Sequence, residues 1–296
     1  MTDTPSQKPV SFFATGILFS ILWASAAAAT KIGLHTAQPF VICVFRFLIA
    51  GSIMLFITHV LLKNKLPQGK QWLQIFIYSL LNISLYLGLY VLGMQHISAG
   101  LGALAPTANP VLISVLSVFF LGQRFTFRIF GSLVLCMLGV IVAAYPLLQR
   151  SMATWEGIII ILLSMLSYSG GSIYFSRKQW EGLHLLTING WQTIMGCVTL
   201  LPVMLFTYNP ALNHYNASFW GSILWLAIPV SIAAVQLWLL LLRQDAVKAS
   251  YWLFLCPVAG FVIAAAVMRE PLTMWTLYGV ILVLTGLYII QRKKSS

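Results

Sequence analysis

An arginine inside a long apolar segment is the residue of this chain best suited to bind an anion. Arg46 lies seven residues after Pro39 in the apolar run 39–62, which in a membrane-spanning helix would place it about 10 Å below the surface. An arginine at that depth costs about 2.5–3.5 kcal/mol unless it faces a cavity or a partner. Its guanidinium could hold a carboxylate or phosphate in bidentate geometry. The alternative is that the side chain snorkels to the surface or donates to backbone carbonyls.

A stripe of polar and aromatic side chains is predicted on one face of the apolar run 72–94. Asn82, Tyr86 and Tyr90 are spaced i, i+4 and i+8, which places them together on an α-helix. Such a face suits a cavity wall, because ring faces stack on a bound solute and hydroxyl groups orient it. Packing between helices, with satisfied hydroxyl groups, is the alternative interpretation.

Other polar and aromatic side chains within apolar runs are candidates for the same cavity. Gln192 and Gln236 are amides that need hydrogen-bond partners inside a bilayer. Asn109 precedes Pro110, whose ring frees a backbone carbonyl. Hydrogen bonds between helices would explain these three residues equally well. The aromatic candidates are Trp23, Tyr168, Tyr174, Tyr251 and Trp252.

The sequence lacks the patterns of an enzyme or a metalloprotein. The four cysteines lie in apolar runs without a CxxC pair, the five histidines are scattered, and there is no P-loop, GxSxG or HExxH motif. We therefore predict no catalytic residue, no metal and no cofactor. Glu156 and Glu270 at one predicted membrane edge could bind a coupling ion or proton, although solvated charges at helix ends are the simpler interpretation.

The composition requires that these residues are carried by membrane-spanning helices. The chain of 296 residues is 60% hydrophobic and only 7% charged, whereas about a quarter of the residues of a soluble domain are charged. Its apolar runs are continuous over about 20 residues, as a membrane-spanning helix requires, and do not alternate as barrel strands would. The net charge of +12 comes from short breaks between the runs, which excludes a nucleic-acid partner.

Ten spans are predicted, and the distribution of positive charge predicts their orientation. With the N-terminus in the cytoplasm, thirteen Lys and Arg residues lie on the cytoplasmic side and three on the other side. The positive-inside rule then places both termini in the cytoplasm. The predicted spans are 11–30, 39–62, 72–94, 99–121, 127–146, 155–176, 184–207, 218–242, 247–268 and 273–291.

The two halves of the chain resemble each other. Five spans per half is an odd number, so the second half, 155–291, must enter the membrane inverted relative to the first half, 11–146. Inverted repeats are typical of secondary transporters, in which two equivalent halves exchange conformations around a central site. A constant offset of 147 residues relates Pro110 to Pro257, Gln123 to Glu270, Thr126 to Thr273 and Gly139 to Gly286.

Several short motifs, spread from about residue 16 to 290, occur in a characteristic order. They are Trp23-Ala24-Ser25 with Lys31-Ile32-Gly33, Pro39 with Arg46-Phe47, Ser98-Ala99-Gly100 before Pro110, Leu121-Gly122-Gln123-Arg124, and Ala249-Ser250 before Pro257 with Arg269-Glu270-Pro271-Leu272-Thr273. In their order and spacing the chain resembles a drug/metabolite transporter of the EamA type. It departs from that family at Gln123, where Gly-Glu-Arg is common, so any role of that carboxylate is missing from the first half.

The resemblance implies an all-α secondary transporter in the cell inner membrane, with the lipid bilayer and a small-molecule substrate as partners. We expect a central cavity lined mainly by spans 1, 3, 4, 6, 8 and 9. Together with the aromatic stripe, the resemblance favours export of amino acids or related solutes by alternating access. Uptake or exchange is the alternative direction. A membrane-embedded enzyme acting on lipid would need acids or histidines clustered at a membrane edge, and a structural or receptor-like protein would not need the repeat.

Overall fold

The chain folds into helices that follow the predicted spans in order. The computed structural model describes residues 12–97, 102, 105–122, 126–148, 154–268 and 274–291, and these contain helices and turns but no strand. The ten helical segments are α1 (Phe12–Leu34), α2 (Pro39–Leu61), α3 (Lys70–His96), α4 (Ala105–Leu121), α5 (Phe127–Leu148), α6 (Trp155–Arg177), α7 (Leu185–Thr207), α8 (Ala217–Gln244), α9 (246–268) and α10 (Met274–Gln291).

The apolar segments confirm the predicted membrane protein. Within the described ranges, α1, α2, α3, α6, α7 and α8 are each long and apolar enough to cross a membrane, and α4, α5 and α10 contain shorter apolar helices. Polar residues mark where helices begin. Thr154, Asn216 and Asp245 each accept a hydrogen bond from a backbone N–H in the first turn of the next helix, which satisfies a donor that the helix leaves free.

Three of the long helices contain a π-helical turn that hydropathy did not predict. These turns are Phe56–Leu61 in α2, Leu80–Leu85 in α3 and Leu226–Ala234 in α8. A π-helical turn bonds i to i+5 and is wider than an α-helical turn. Residues on either side of it therefore depart from the α-helical spacing on which the predicted stripe was based.

The packing of the helices shows that the two halves are equivalent. α2 packs on α7, and α5 packs on α10. α1 packs on α8 and α9, and correspondingly α6 packs on α3 and α4. If α1 to α5 of the first half correspond in order to α6 to α10 of the second half, each of these packed pairs has its counterpart in the set. The ten helices thus form two five-helix repeats, and the odd number in each makes the repeats inverted.

The contact between α5 and α10 repeats itself at the offset of 147 residues. A Cβ atom added to Gly139 would lie 2.7 Å from the Gly279 carbonyl oxygen, and one added to Gly286 would lie 3.1 Å from the Ser132 carbonyl oxygen. Ser132 and Gly279 are themselves 147 residues apart, as are Gly139 and Gly286. Each glycine therefore allows the backbone of the other helix to approach closely.

The two ends of the bundle are held together differently. At the end formed by the loops 35–38 and 208–216, Gln38 exchanges hydrogen bonds with Thr207, Asn209 and Asn213. We call these four residues the Gln38 cluster and this end the Gln38 end. At the opposite end, which contains loop 62–69, Gln71 donates to Glu181 at 3.5 Å, Thr58 and Thr187 share a hydrogen bond of 2.8 Å, and Trp191 donates to His59 at 3.0 Å.

Candidate functional site

A small cavity lies at the interface of the two halves, in the part of the bundle toward the Gln38 end. Its volume is about 30 Å³, enough for about one water molecule. The first half supplies most of the wall, α2 included, and α8 and α9 supply the rest. The lining residues are Trp23, Ala24, Ala26, Ala27, Thr30, Arg46, Tyr86, Leu87, Tyr90, Gly102, Pro106, Val230 and Cys256.

Arg46 is the charged side chain of this cavity wall. It is only 6% exposed, and its Nε donates a hydrogen bond of 2.7 Å to Ser231 Oγ on α8. Its guanidinium carbon lies 5.3 Å from the centroid of the Phe47 ring. The side chain is therefore held inside the bundle and neither snorkels to the surface nor donates to a backbone carbonyl within the described residues. It brings a positive charge to a wall whose other lining side chains are uncharged.

Five buried aromatic rings close the cavity on the side away from the Gln38 end. The Tyr86 ring lies 4.6 Å from Tyr168, and Tyr168 lies 5.5 Å from Trp238. Phe19 stacks on Trp238 at 5.1 Å and reaches Trp23 at 5.4 Å. We call these five residues the aromatic layer. Because α1, α3, α6 and α8 all contribute, the layer connects both halves across the centre of the bundle.

A chain of hydrogen bonds extends from Arg46 through the second half and back to the first. Asn189 Nδ2 donates to the Ser231 carbonyl at 3.1 Å, and Gln192 Nε2 donates to Asn189 Oδ1 at 3.0 Å. Asn82 Nδ2 then donates to Gln192 Oε1 at 3.2 Å. We call these five residues the polar chain. It accounts for the predicted amides Asn82 and Gln192, which join helices and do not line the cavity.

The sequence did not single out Ser231 and Asn189, although both support Arg46. Asn189 lies one helical turn before Gln192, so the spacing of three residues could have identified it. Ser231 lies in the π-helical turn of α8. A single serine in an apolar helix carries no periodic pattern, so its position beside Arg46 emerges only from the packing of α2 on α8.

The structure brings Trp23, Arg46, Tyr86 and Tyr90 together around the cavity, and places the other predicted residues elsewhere. Tyr168 belongs to the aromatic layer. Asn109 accepts from Ser169 Oγ at 3.1 Å and joins α4 to α6. Gln236 has a buried Oε1 without a hydrogen-bond partner among the described residues, and Tyr251 donates to the Ile129 carbonyl between α9 and α5. Neither of the last two candidates lines the cavity: the Trp252 ring lies 5.3 Å from the Phe13 ring, and the Tyr174 ring lies 5.4 Å from Lys178 Nζ.

The described residues contain no group of three acids, histidines or cysteines that could hold a metal ion. Glu156, a candidate for a coupling ion, is exposed at the start of α6. Glu270, the other candidate, lies outside the described residues. The cavity therefore offers a cation, aromatic faces and hydroxyl groups for binding an organic molecule. Tyr90 already uses its hydroxyl group to donate to the Gly102 carbonyl at 3.3 Å.

The chain matches a known family over both of its halves. The model of the EamA-like transporter family matches residues 11–145 and again 155–292. The two matches coincide with the two five-helix repeats of the structure.

Individual relatives match over nearly their whole lengths. An uncharacterized transporter of Archaeoglobus fulgidus is 27% identical over 92% of this chain and 95% of its own length. The uncharacterized transporter YvbV of Bacillus subtilis is 26% identical over 93% and 90%, and the protein PecM of Dickeya dadantii is 25% identical over 91% and 89%. A solved crystal structure with a TM-score of 0.76 covers 96% of this chain and 98% of its own, and at 15% identity it bears on the fold alone.

Proposed function

Because the chain belongs to the EamA-like transporter family, we propose that this membrane transporter exports small organic solutes, with amino acids and related compounds as its substrates. The observation that carries the proposal is a cavity walled by both inverted repeats and closed on one side by the aromatic layer. Transport then needs no catalytic residue and no cofactor. The driving force is a gradient, with an ion or proton as the coupling partner.

The equivalence of the halves supports alternating access. If the two repeats exchange conformations, the aromatic layer opens in one state, and the helix ends bonded by the Gln38 cluster separate in the other. Tyr168 Oη and Trp238 Nε1 are buried without hydrogen-bond partners in the described part of the chain. The rings therefore part without breaking hydrogen bonds of these two groups. Because the cavity has room for only about one water molecule, a solute enters only after such a movement.

We propose that the protein lies in the inner membrane of the cell. The distribution of positive charge then places both termini in the cytoplasm. The Gln38 end then faces outward, and the aromatic layer separates the cavity from the cytoplasm. The Gln38 cluster bonds the helix ends on the outer side of the cavity, and the aromatic layer lies on its cytoplasmic side. This conformation therefore does not favour export over uptake, and transport assays decide the direction.

The test is a growth and transport screen on cells with and without the protein. Cells are challenged with toxic amino acids, their analogues and drugs, and purified protein is assayed in liposomes with the same panel. We expect resistance to one chemical class, lost in Tyr86→Ala and Tyr90→Ala, while Tyr278→Ala serves as the matched control because Tyr278 is 56% exposed on α10. Faster uptake without resistance would reverse the direction, and failure to move any solute in liposomes would refute the proposal.

A further inference from the structure

Arg46 is a buried cation with no counter-charge among the described residues. Its hydrogen-bond partner, Ser231 Oγ, is a neutral group. Of the described acids, Glu156 is exposed, Glu181 lies in a loop, and Asp245 pairs with Lys248 at 3.3 Å. Arginine stays protonated in proteins, and a buried charge is costly unless it is paired. No negative charge among the described residues therefore balances Arg46 in the cavity.

The geometry of the Arg46 guanidinium shows which of its N–H groups are available to bind an anion. A guanidinium binds a carboxylate through either of two pairs of N–H groups. Nε is engaged with Ser231, which leaves the pair formed by Nη1 and Nη2 without a described hydrogen-bond partner. This pair is on a residue that lines the cavity. Two parallel hydrogen bonds to one carboxylate would satisfy it.

The polar chain keeps this group in position before a ligand arrives. Ser231 is fixed through its backbone carbonyl by Asn189, and Asn189 is fixed in turn by Gln192. A binding group that is already ordered loses less entropy when its ligand binds. The remaining wall carries no charge: Thr30 supplies a hydroxyl group, and Trp23, Tyr86 and Leu87 are among its apolar and aromatic members.

We infer that the transported solute is a small organic monocarboxylate, whose carboxylate pairs with Arg46 and whose apolar part lies against Trp23 and Tyr86. This inference rests on the proposed transport function and specifies its substrate class. An organic cation would meet the charge of Arg46 at close range and is disfavoured. A second carboxylate would find no further cation in the described wall, so dicarboxylates are disfavoured as well.

The experiment compares three probes of similar shape on the full-length protein in lipid nanodiscs: benzoate, benzamide and benzylamine. Binding is measured by calorimetry at neutral pH. Benzoate is expected to bind at least about tenfold more tightly than benzamide, as hydrogen bonds to charged groups predict, and benzylamine is expected not to bind. Equal or tighter binding of benzamide or benzylamine overturns the inference, as does the absence of binding by all three probes.

Variants then assign the preference to Arg46. Arg46→Gln is expected to remove the preference for benzoate, and Arg46→Lys to weaken it because the ammonium cannot form the bidentate pair. Arg243→Gln is the matched control, since Arg243 donates to the Leu183 carbonyl at the opposite end of the bundle. Glu270→Gln is expected to keep the preference, because the inference requires the solute to neutralise Arg46. A preference that survives Arg46→Gln, or disappears in Glu270→Gln, overturns the inference.

The two proposals fail in different ways. If the protein in liposomes transports benzylamine or benzamide but not benzoate, the transport function is supported and the inference of a monocarboxylate substrate is refuted. If the protein transports no member of a broad panel but still binds benzoate through Arg46, the transport function is refuted and the anion-binding site is supported. If Arg46→Gln does not reach the membrane, the order of affinities of the wild-type protein for the three probes decides the question.

Discussion

The close contact between α5 and α10 predicts that adding a single methyl group will destabilise the protein. In Gly139→Ala the new Cβ would lie 2.7 Å from the Gly279 carbonyl oxygen and 2.8 Å from the Val283 backbone nitrogen. Both neighbours are backbone atoms, so one helix has to move away from the other. Extra methyl groups forced into a packed interior cost about 1–3 kcal/mol. We expect Gly139→Ala to lie in the upper part of that range.

The inverted repeat supplies a second variant, and the sequence supplies a control. Gly286→Ala is expected to cost less than Gly139→Ala, because its nearest neighbour is the Cys136 side chain, which can rotate, and the Ser132 carbonyl is 3.1 Å away. Gly131→Ala on the same helix α5 meets no atom within 4 Å. It should leave stability unchanged or raise it, since alanine favours the helix by up to about 1 kcal/mol over glycine.

The assay is reversible unfolding of the purified protein in mixed detergent micelles, followed by the fluorescence of its tryptophans. The expected order of stability is Gly131→Ala, at or above the wild type, then Gly286→Ala, then Gly139→Ala. If Gly139→Ala unfolds at the same denaturant concentration as Gly131→Ala, the conclusion that the backbones of α5 and α10 approach closely at Gly139 is refuted. The equivalence of Gly139 and Gly286 would then also lose its structural support.

Three further predictions concern the polar chain and the Gln38 end. Ser231→Ala should weaken benzoate binding by about tenfold, because Arg46 loses its hydrogen bond to Ser231. Calorimetry measures this affinity, with Ser114→Ala as the control; equal affinities of the two variants for benzoate would contradict the prediction. Gln38→Ala should speed hydrogen exchange at the Asn209 amide, which donates to Gln38 Oε1 at 2.7 Å; unchanged exchange there would contradict the Gln38 cluster. The hydrogen bond with Tyr208 and then partial burial raise the pKa of Tyr215 from 10.0 to about 12. The raised pKa adds stability that is complete below pH 10 and is lost as the pH rises toward 12, so Tyr215→Phe should flatten the loss of stability over that interval in pH-dependent unfolding.

The helices could be predicted from the sequence because hydropathy and length determine them. Each apolar run is long enough to need a bilayer, and prolines and polar caps mark the ends, so the described helices lie within a few residues of the predicted spans. The π-helical turns could not be predicted, since they depend on which backbone groups pair and hydropathy does not record that choice. They matter at the site, because one of them carries Ser231.

The candidate site was only partly predictable, for a related reason. Arg46 was conspicuous because a cation is rare in an apolar helix, and Tyr86 and Tyr90 because their spacing marks one face. Tyr251 has the same chemical character, but its hydroxyl group reaches the Ile129 carbonyl on α5, away from the cavity. A sequence shows which face of a helix a residue occupies, and the packing of helices decides what that face meets.

The aromatic layer also bears on how the cell keeps its membrane energised. One elementary charge that crosses a potential of 100 mV dissipates about 2.3 kcal/mol, and a continuous file of water through a protein would conduct protons. Five buried rings interrupt such a file at the centre of the bundle, and the two buried polar groups of Tyr168 and Trp238 have no described partner to pass a proton on. In this conformation the layer lies across the path that such a file would take, which is consistent with the gradient that we propose as the driving force.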